Sequence, residues 1–153
     1  MKAEEIKQYL KDGSYNDIFV PEFTWGDLRI DAIKIDMKHR WIRGYEIKVS
    51  KQDFDKDNKW SEYSEFCSSL CVVCPEGLIQ RDEIEKPFGL IWINDIKKNP
   101  WDATKLTYVR KPLNFQKRNS LSWLYTYNRV LELEMRRMYF EMETLKVNNK
   151  YGR

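Results

Sequence analysis

The stretch GYEIKVSKQDF, Gly44 to Phe54, sets Glu46 and Lys48 two residues apart in an otherwise apolar run. In an extended strand, residues i and i+2 point to the same side. Glu46 and Lys48 therefore project together, while Tyr45, Ile47 and Val49 are expected to face a core. A second carboxylate, Asp31, interrupts RIDAI where an apolar residue would be expected. In a hairpin Asp31 can lie across from Glu46, with the register left open, giving the pattern D-x14-E-x-K.

These residue types suit one chemistry. Two converging carboxylates are costly to ionise together unless a cation sits between them. Mg²⁺, or Mn²⁺ in its place, takes hard oxygen ligands, binds through one or two carboxylates and keeps several waters. Such a metal acidifies a bound water and neutralises charge on phosphate oxygens. Asp31 and Glu46 would be the metal ligands, with the backbone carbonyl of Ile47 as a third. Lys48 would hold the attacking water or stabilise negative charge developing on the phosphorus centre. The plainer alternative is a hairpin with Asp31 and Glu46 in solvated ion pairs with Lys48 or Arg29, since alternating charge is normal on a half-exposed strand.

The elements that must position these residues can be read along the chain. Residues 2–11 form an amphipathic helix with Ile6, Tyr9 and Leu10 on one face, ended by KDGS with Gly13 just beyond it. Asp17 to Trp25 is strand-like but interrupted by Pro21, which suits an edge. Leu28–Met37 and Trp41–Ser50 form a hairpin about a turn at Lys38–Arg40. Asp53 to Asn58 is expected to cap a helix over Lys59–Ser68. LCVVCP (70–75) and FGLIWIN (88–94) are buried strands, and Ser120 opens a long helix to about Val147. Helices flanking a run of strands predict an α/β domain with a mixed sheet. Residues 1–96 are its core, 97–118 a basic, irregular connection and 119–147 a terminal helix, within a single domain.

With Asp on the second strand and Glu-x-Lys on the third, this αβββαβ order resembles the PD-(D/E)XK nuclease superfamily. The run EIKVSKQDFDKDNKWSEYSEFCSSLCVVCPEGL, Glu46 to Leu78, resembles its MmcB-like DNA repair proteins, and the likeness covers about residues 25–95. Ile30 stands where the named motif carries proline. The resemblance implies a restriction-endonuclease-like core. It also implies a metal-dependent deoxyribonuclease of DNA repair or of phage or mobile-element DNA processing. Asp31, Glu46 and Lys48 would be its catalytic residues. Ser50, Asp53, Lys59, Trp60 and Tyr63 would line the site, although Trp60 and Tyr63, three apart on a helical face, serve equally well as core. Glu4 or Glu5 could add a ligand from the first helix, where a solvated acid favoured by the helix dipole is the simpler reading. The alternative of another class is a DNA-binding or scaffold module that keeps the fold without the activity.

Cys67, Cys71 and Cys74 form C-x3-C-x2-C, a spacing that holds iron–sulfur clusters. Their apolar strand context argues instead for small buried hydrophobes. The basic segment contributes Lys105, Arg110, Lys111, Lys117 and Arg118, interleaved with aromatics, as contacts for DNA phosphates and bases. In the last helix Leu121, Leu124, Asn128, Leu131, Met135, Met138, Met142 and Leu145 alternate by three and four. That is an a/d seam able to pair with a second copy or pack on the domain. A net charge of +3, from 27 basic and 24 acidic residues, implies no partner by itself. No apolar run approaches a membrane span. Three cysteines without an export signal point to a reducing cytoplasm.

Overall fold

The computed structural model describes residues 1–14, 17–56, 60–94, 106–115 and 120–151. They form two compact units, residues 1–118 and 119–153. The first is α/β, with one six-stranded mixed sheet whose spatial order follows the sequence, β1 to β6.

Helix α1 (Ala3–Asp12) opens the chain. Its acidic first turn and basic Lys11 in the last turn complement the helix dipole. Strands β1 (Ile18–Trp25), β2 (Leu28–Asp36) and β3 (Trp41–Ile47) pair antiparallel. Pro21, which cannot donate to a ladder, sits on β1, the sheet edge where it is tolerated. After β3 come a short helix α2 (Lys51–Lys56) and a 3-10 turn (Trp60–Glu65). They lead to β4 (Ser69–Pro75), which pairs parallel with β3, as only a crossover of this kind permits. β5 (Gly89–Ile93) pairs parallel with β4.

The sequence reading needs correction at three places in this unit. The third strand ends at Ile47 rather than Ser50, and Val49 is 38% exposed rather than in the core. The helix expected over Lys59–Ser68 is a 3-10 turn over Trp60–Glu65, and α2 comes earlier, over Lys51–Lys56, where a polar turn was expected; residues 57–59 lie outside the described set. The connection read as irregular contains β6 (Leu106–Arg110), antiparallel to β5. It is short and half exposed, so no buried face announces it in the sequence.

The sheet has a core on each face. On one, Ile6 and Leu10 of α1 pack on Ala32, Tyr45, Ile47, Cys71, Val73, Ile91 and Ile93. On the other, Val72, Cys74 and Leu90 meet Ile79 and Ile84, with Phe54, Trp60 and Phe88 around them. The Trp92 indole N–H donates to the Ile79 carbonyl at 2.8 Å, pinning the β4–β5 connection to this second face.

The second unit holds helix α3 (Ser120–Tyr151), 32 residues or about 48 Å long. It runs four residues past the expected end at Val147. Among the described residues no helix is long and apolar enough to cross a membrane.

Candidate active site

The β1–β2 ladder pairs Pro21 with Ala32 and Phe23 with Ile30, leaving Glu22 and Asp31 facing each other without a rung. Glu22 has φ 52, in the left-handed region that costs a non-glycine residue roughly 1 kcal/mol or more. On the other side, the β2–β3 ladder stops at Ala32–Tyr45, one residue short of Asp31 and Glu46. The strands fork there, and the Asp31 side chain bridges the fork: its Oδ2 accepts the Ile47 N–H at 2.7 Å. Beyond the fork β3 stays with β4, through a Lys48 N–H donated to the Val73 carbonyl at 2.9 Å.

Glu46 and Lys48 are 5% and 9% exposed, with Lys48 Nζ 3.5 Å from Glu46 Oε2. The other Glu46 oxygen, Oε1, lies 2.6 Å from the Tyr63 hydroxyl, which is also 3.0 Å from the Arg29 carbonyl. The hydroxyl has one proton. It donates to an ionised Glu46, or, when Glu46 is protonated, accepts from Glu46 and donates to Arg29. Burial pushes the Glu46 carboxyl up to about 7, and Asp31 adds to this, against the pull of Tyr63 and Lys48.

Asp31, Glu46, Lys48 and Tyr63 are therefore brought to one point. Four other expected residues have contacts of their own. Ser50 Oγ accepts the Asp53 N–H at 3.2 Å, so that pair caps α2. Glu5 accepts the Lys2 N–H at 2.8 Å and closes the start of α1. Trp60 lies between Phe54 and Phe88 at ring distances of 5.4 and 5.5 Å, as part of the second core. Lys59, Lys105, Lys117 and Arg118 lie outside the described residues. Arg110 and Lys111 are at the end of β6.

A network that the sequence reading missed borders the fork. Glu22 is bonded to both Lys7 of α1 and Arg29 of β2, and Lys7 also reaches Glu4 at 3.0 Å. Glu4 is thus tied to Lys7. Arg29 lies close enough to Asp31 to feel its charge. The only sequence signal was a glutamate next to Pro21 in an apolar strand.

The cysteines do not converge. Cys71 is in the core under α1, whereas Cys74 is in the core on the opposite face. Burial pushes their thiols up to about 12 and about 11, and that of Cys67 well above its ordinary value. Cys71 and Cys74 thus pack as small hydrophobes in separate cores.

Among the described residues no three or more His, Cys, Asp or Glu side chains gather as a metal-binding group. The fork offers two adjacent carboxylates, those of Asp31 and Glu46.

No protein-family model and no curated protein matches the chain. A solved structure does: the SPO1766 protein of unknown function from Silicibacter pomeroyi. The likeness has a TM-score of 0.68 at 23% identity and covers 89% of this chain and 85% of that one. At that identity the two share a fold, and the likeness extends to nothing finer.

Proposed function

We propose that the chain is a metal-dependent deoxyribonuclease with a restriction-endonuclease-like core, acting in DNA repair or in phage or mobile-element DNA processing. The observation that carries this reading is the fork, which gathers Asp31, Glu46 and Lys48 where the pairing of β2 with β3 ends. The helical crossover to a parallel β4 supports the same core. A divalent cation suits the donor set, because Glu46 is held beside Asp31 in a place that penalises its charge. Asp31, Glu46 and the Ile47 carbonyl would hold Mg²⁺ or Mn²⁺, with water completing the shell. Bound there, the metal would supply a Lewis acid for a phosphoryl oxygen and an acidified water. Lys48 is placed to orient that water or to offset charge on the phosphate. Tyr63 fixes the Glu46 carboxylate by holding one oxygen.

A second reading has its own support. The low exposure of Glu46 and Lys48 limits access to a phosphodiester, which favours a DNA-binding or scaffold module with the same fold. Cleavage of single-stranded, nicked, branched and duplex DNA with Mg²⁺ or Mn²⁺ separates the two. The nuclease reading expects Glu46→Ala and Lys48→Ala each to lose at least about 100-fold in rate. Equal cleavage by all three proteins would remove the site. DNA binding without cleavage on any substrate would leave the module.

A further inference from the structure

A second site lies at the far edge of the sheet from β1. A cleft of about 410 Å³ opens between the segment before β5 and the end of β6, lined by Arg81, Lys86, Phe88, Tyr108, Arg110 and Lys111, among others. Four of these are cationic, and no carboxylate lines the cleft among the described residues. Its walls are tied together. The Leu113 N–H donates to the Pro87 carbonyl at 2.8 Å, and the Arg110 guanidinium is bonded to the Ile84 carbonyl. The Tyr108 ring is fixed by Arg43, which donates to its hydroxyl at 3.0 Å.

The neighbouring cleft has the opposite character. It shares Phe88 as a wall but is lined by Asp55, Glu83 and Glu85. A polyanion would be drawn to one side of Phe88 and repelled from the other. Such a contrast is not what a uniformly solvated basic loop presents.

We infer that the Arg81–Lys86–Arg110–Lys111 cleft binds the backbone of single-stranded nucleic acid, with its cations on phosphates. Cations that neutralise phosphates release counterions, so the affinity falls with salt. A cleft of this volume holds a short stretch of one strand and does not enclose a duplex. Pairing across the sheet runs Glu46–Val72–Leu90–Arg110, which puts Arg110 three strands, or about 14 Å, from the fork. The inference rests on nucleic acid as the partner and needs no cleavage.

The test uses the full chain, EDTA and a fluorescently labelled single-stranded oligonucleotide read by anisotropy. Lys86→Glu/Lys111→Glu alters two exposed side chains and leaves the Arg110 tie intact. It is expected to weaken binding at least about tenfold at low salt and to lower the salt slope by about 0.7 for each phosphate no longer neutralised. Lys11→Glu/Lys38→Glu, which changes net charge equally on other surfaces, is expected to weaken binding much less. Equal weakening in both double variants, unchanged binding in the first, or a duplex bound as tightly as the single strand would each overturn the inference. Binding abolished in Lys86→Glu/Lys111→Glu by a protein that never cleaves would uphold the cleft and sink the nuclease. Cleavage with binding unchanged in that variant would do the reverse.

Discussion

Glu46 carries an unusual electrostatic load for a residue on a central strand. Its carboxyl titrates near 7 in the folded chain and near the ordinary 4.5 in the unfolded one. Between those values the folded state keeps a proton that the unfolded state has released, so stability falls as pH rises from about 4.5 to 7 and levels off above. The penalty is on the order of 3 kcal/mol. Glu46→Gln keeps an oxygen for Tyr63 and removes the charge. Metal-free Glu46→Gln is therefore expected to melt several degrees above the wild type at pH 8, with the gap closing toward pH 4.5. A constant gap across that range would mean that Asp31 and burial do not act on Glu46 as described. Tyr63→Phe has the opposite direction. It strands a buried carboxylate oxygen and is expected to cost about 1–3 kcal/mol by denaturant unfolding. It should also move the midpoint of pH-dependent Mg²⁺ binding upward, because Tyr63 holds the Glu46 value down. An unchanged midpoint would detach Tyr63 from the site.

At the scale of elements, the fork depends on β3 lying close under its neighbours. Gly44 allows this: a Cβ there would sit 2.7 Å from Ile30 Cδ1 and 2.8 Å from both Cys67 Sγ and Leu70 Cδ1. Gly44→Ala is expected to destabilise by about 1–3 kcal/mol, since each of those atoms is in a filled core. A variant within a few tenths of the wild type would show that the layer can give. The same elements show what the sequence carried. The alternation around Glu46 and the break at Asp31 were legible, because a charge in an apolar strand stands out against a period of two. The register joining them was not, because it depends on where the β2–β3 ladder stops, one residue short of both. On the other side of β2, the left-handed Glu22 and its salt bridges to Lys7 and Arg29 left no pattern in the sequence. Ser50 and Asp53 were read from a run of residues, whereas the Ser50 hydroxyl caps α2 on the Asp53 N–H. β6 was hidden in a basic segment because an edge strand needs only one partner and little burial.

For the whole molecule, the open question in the sequence was where the terminal helix spends its apolar seam. Leu124, Leu131, Met135, Met138, Met142 and Leu145 are all exposed on α3, Met135 at 69% and Met138 at 57%. The spacing of that stripe suits a second copy of the same helix. Asn128 occupies one a position, where a polar residue fixes register at some cost in stability. In a parallel pair, Glu141 and Lys146 fall at g and e, so that each copy offers the other an opposite charge. The seam is rich in methionine, which packs adaptably and specifies a partner weakly. A reversible dimer is therefore expected in preference to an obligate one. Sedimentation equilibrium should give twice the 18.6 kDa chain mass at high concentration and a shift toward the monomer on dilution. Met135→Asp/Met138→Asp should hold the chain monomeric while leaving its helix content unchanged, since both side chains stand in solvent. A wild-type chain monomeric at every soluble concentration would refute self-pairing, as would a double variant that dimerises like the parent.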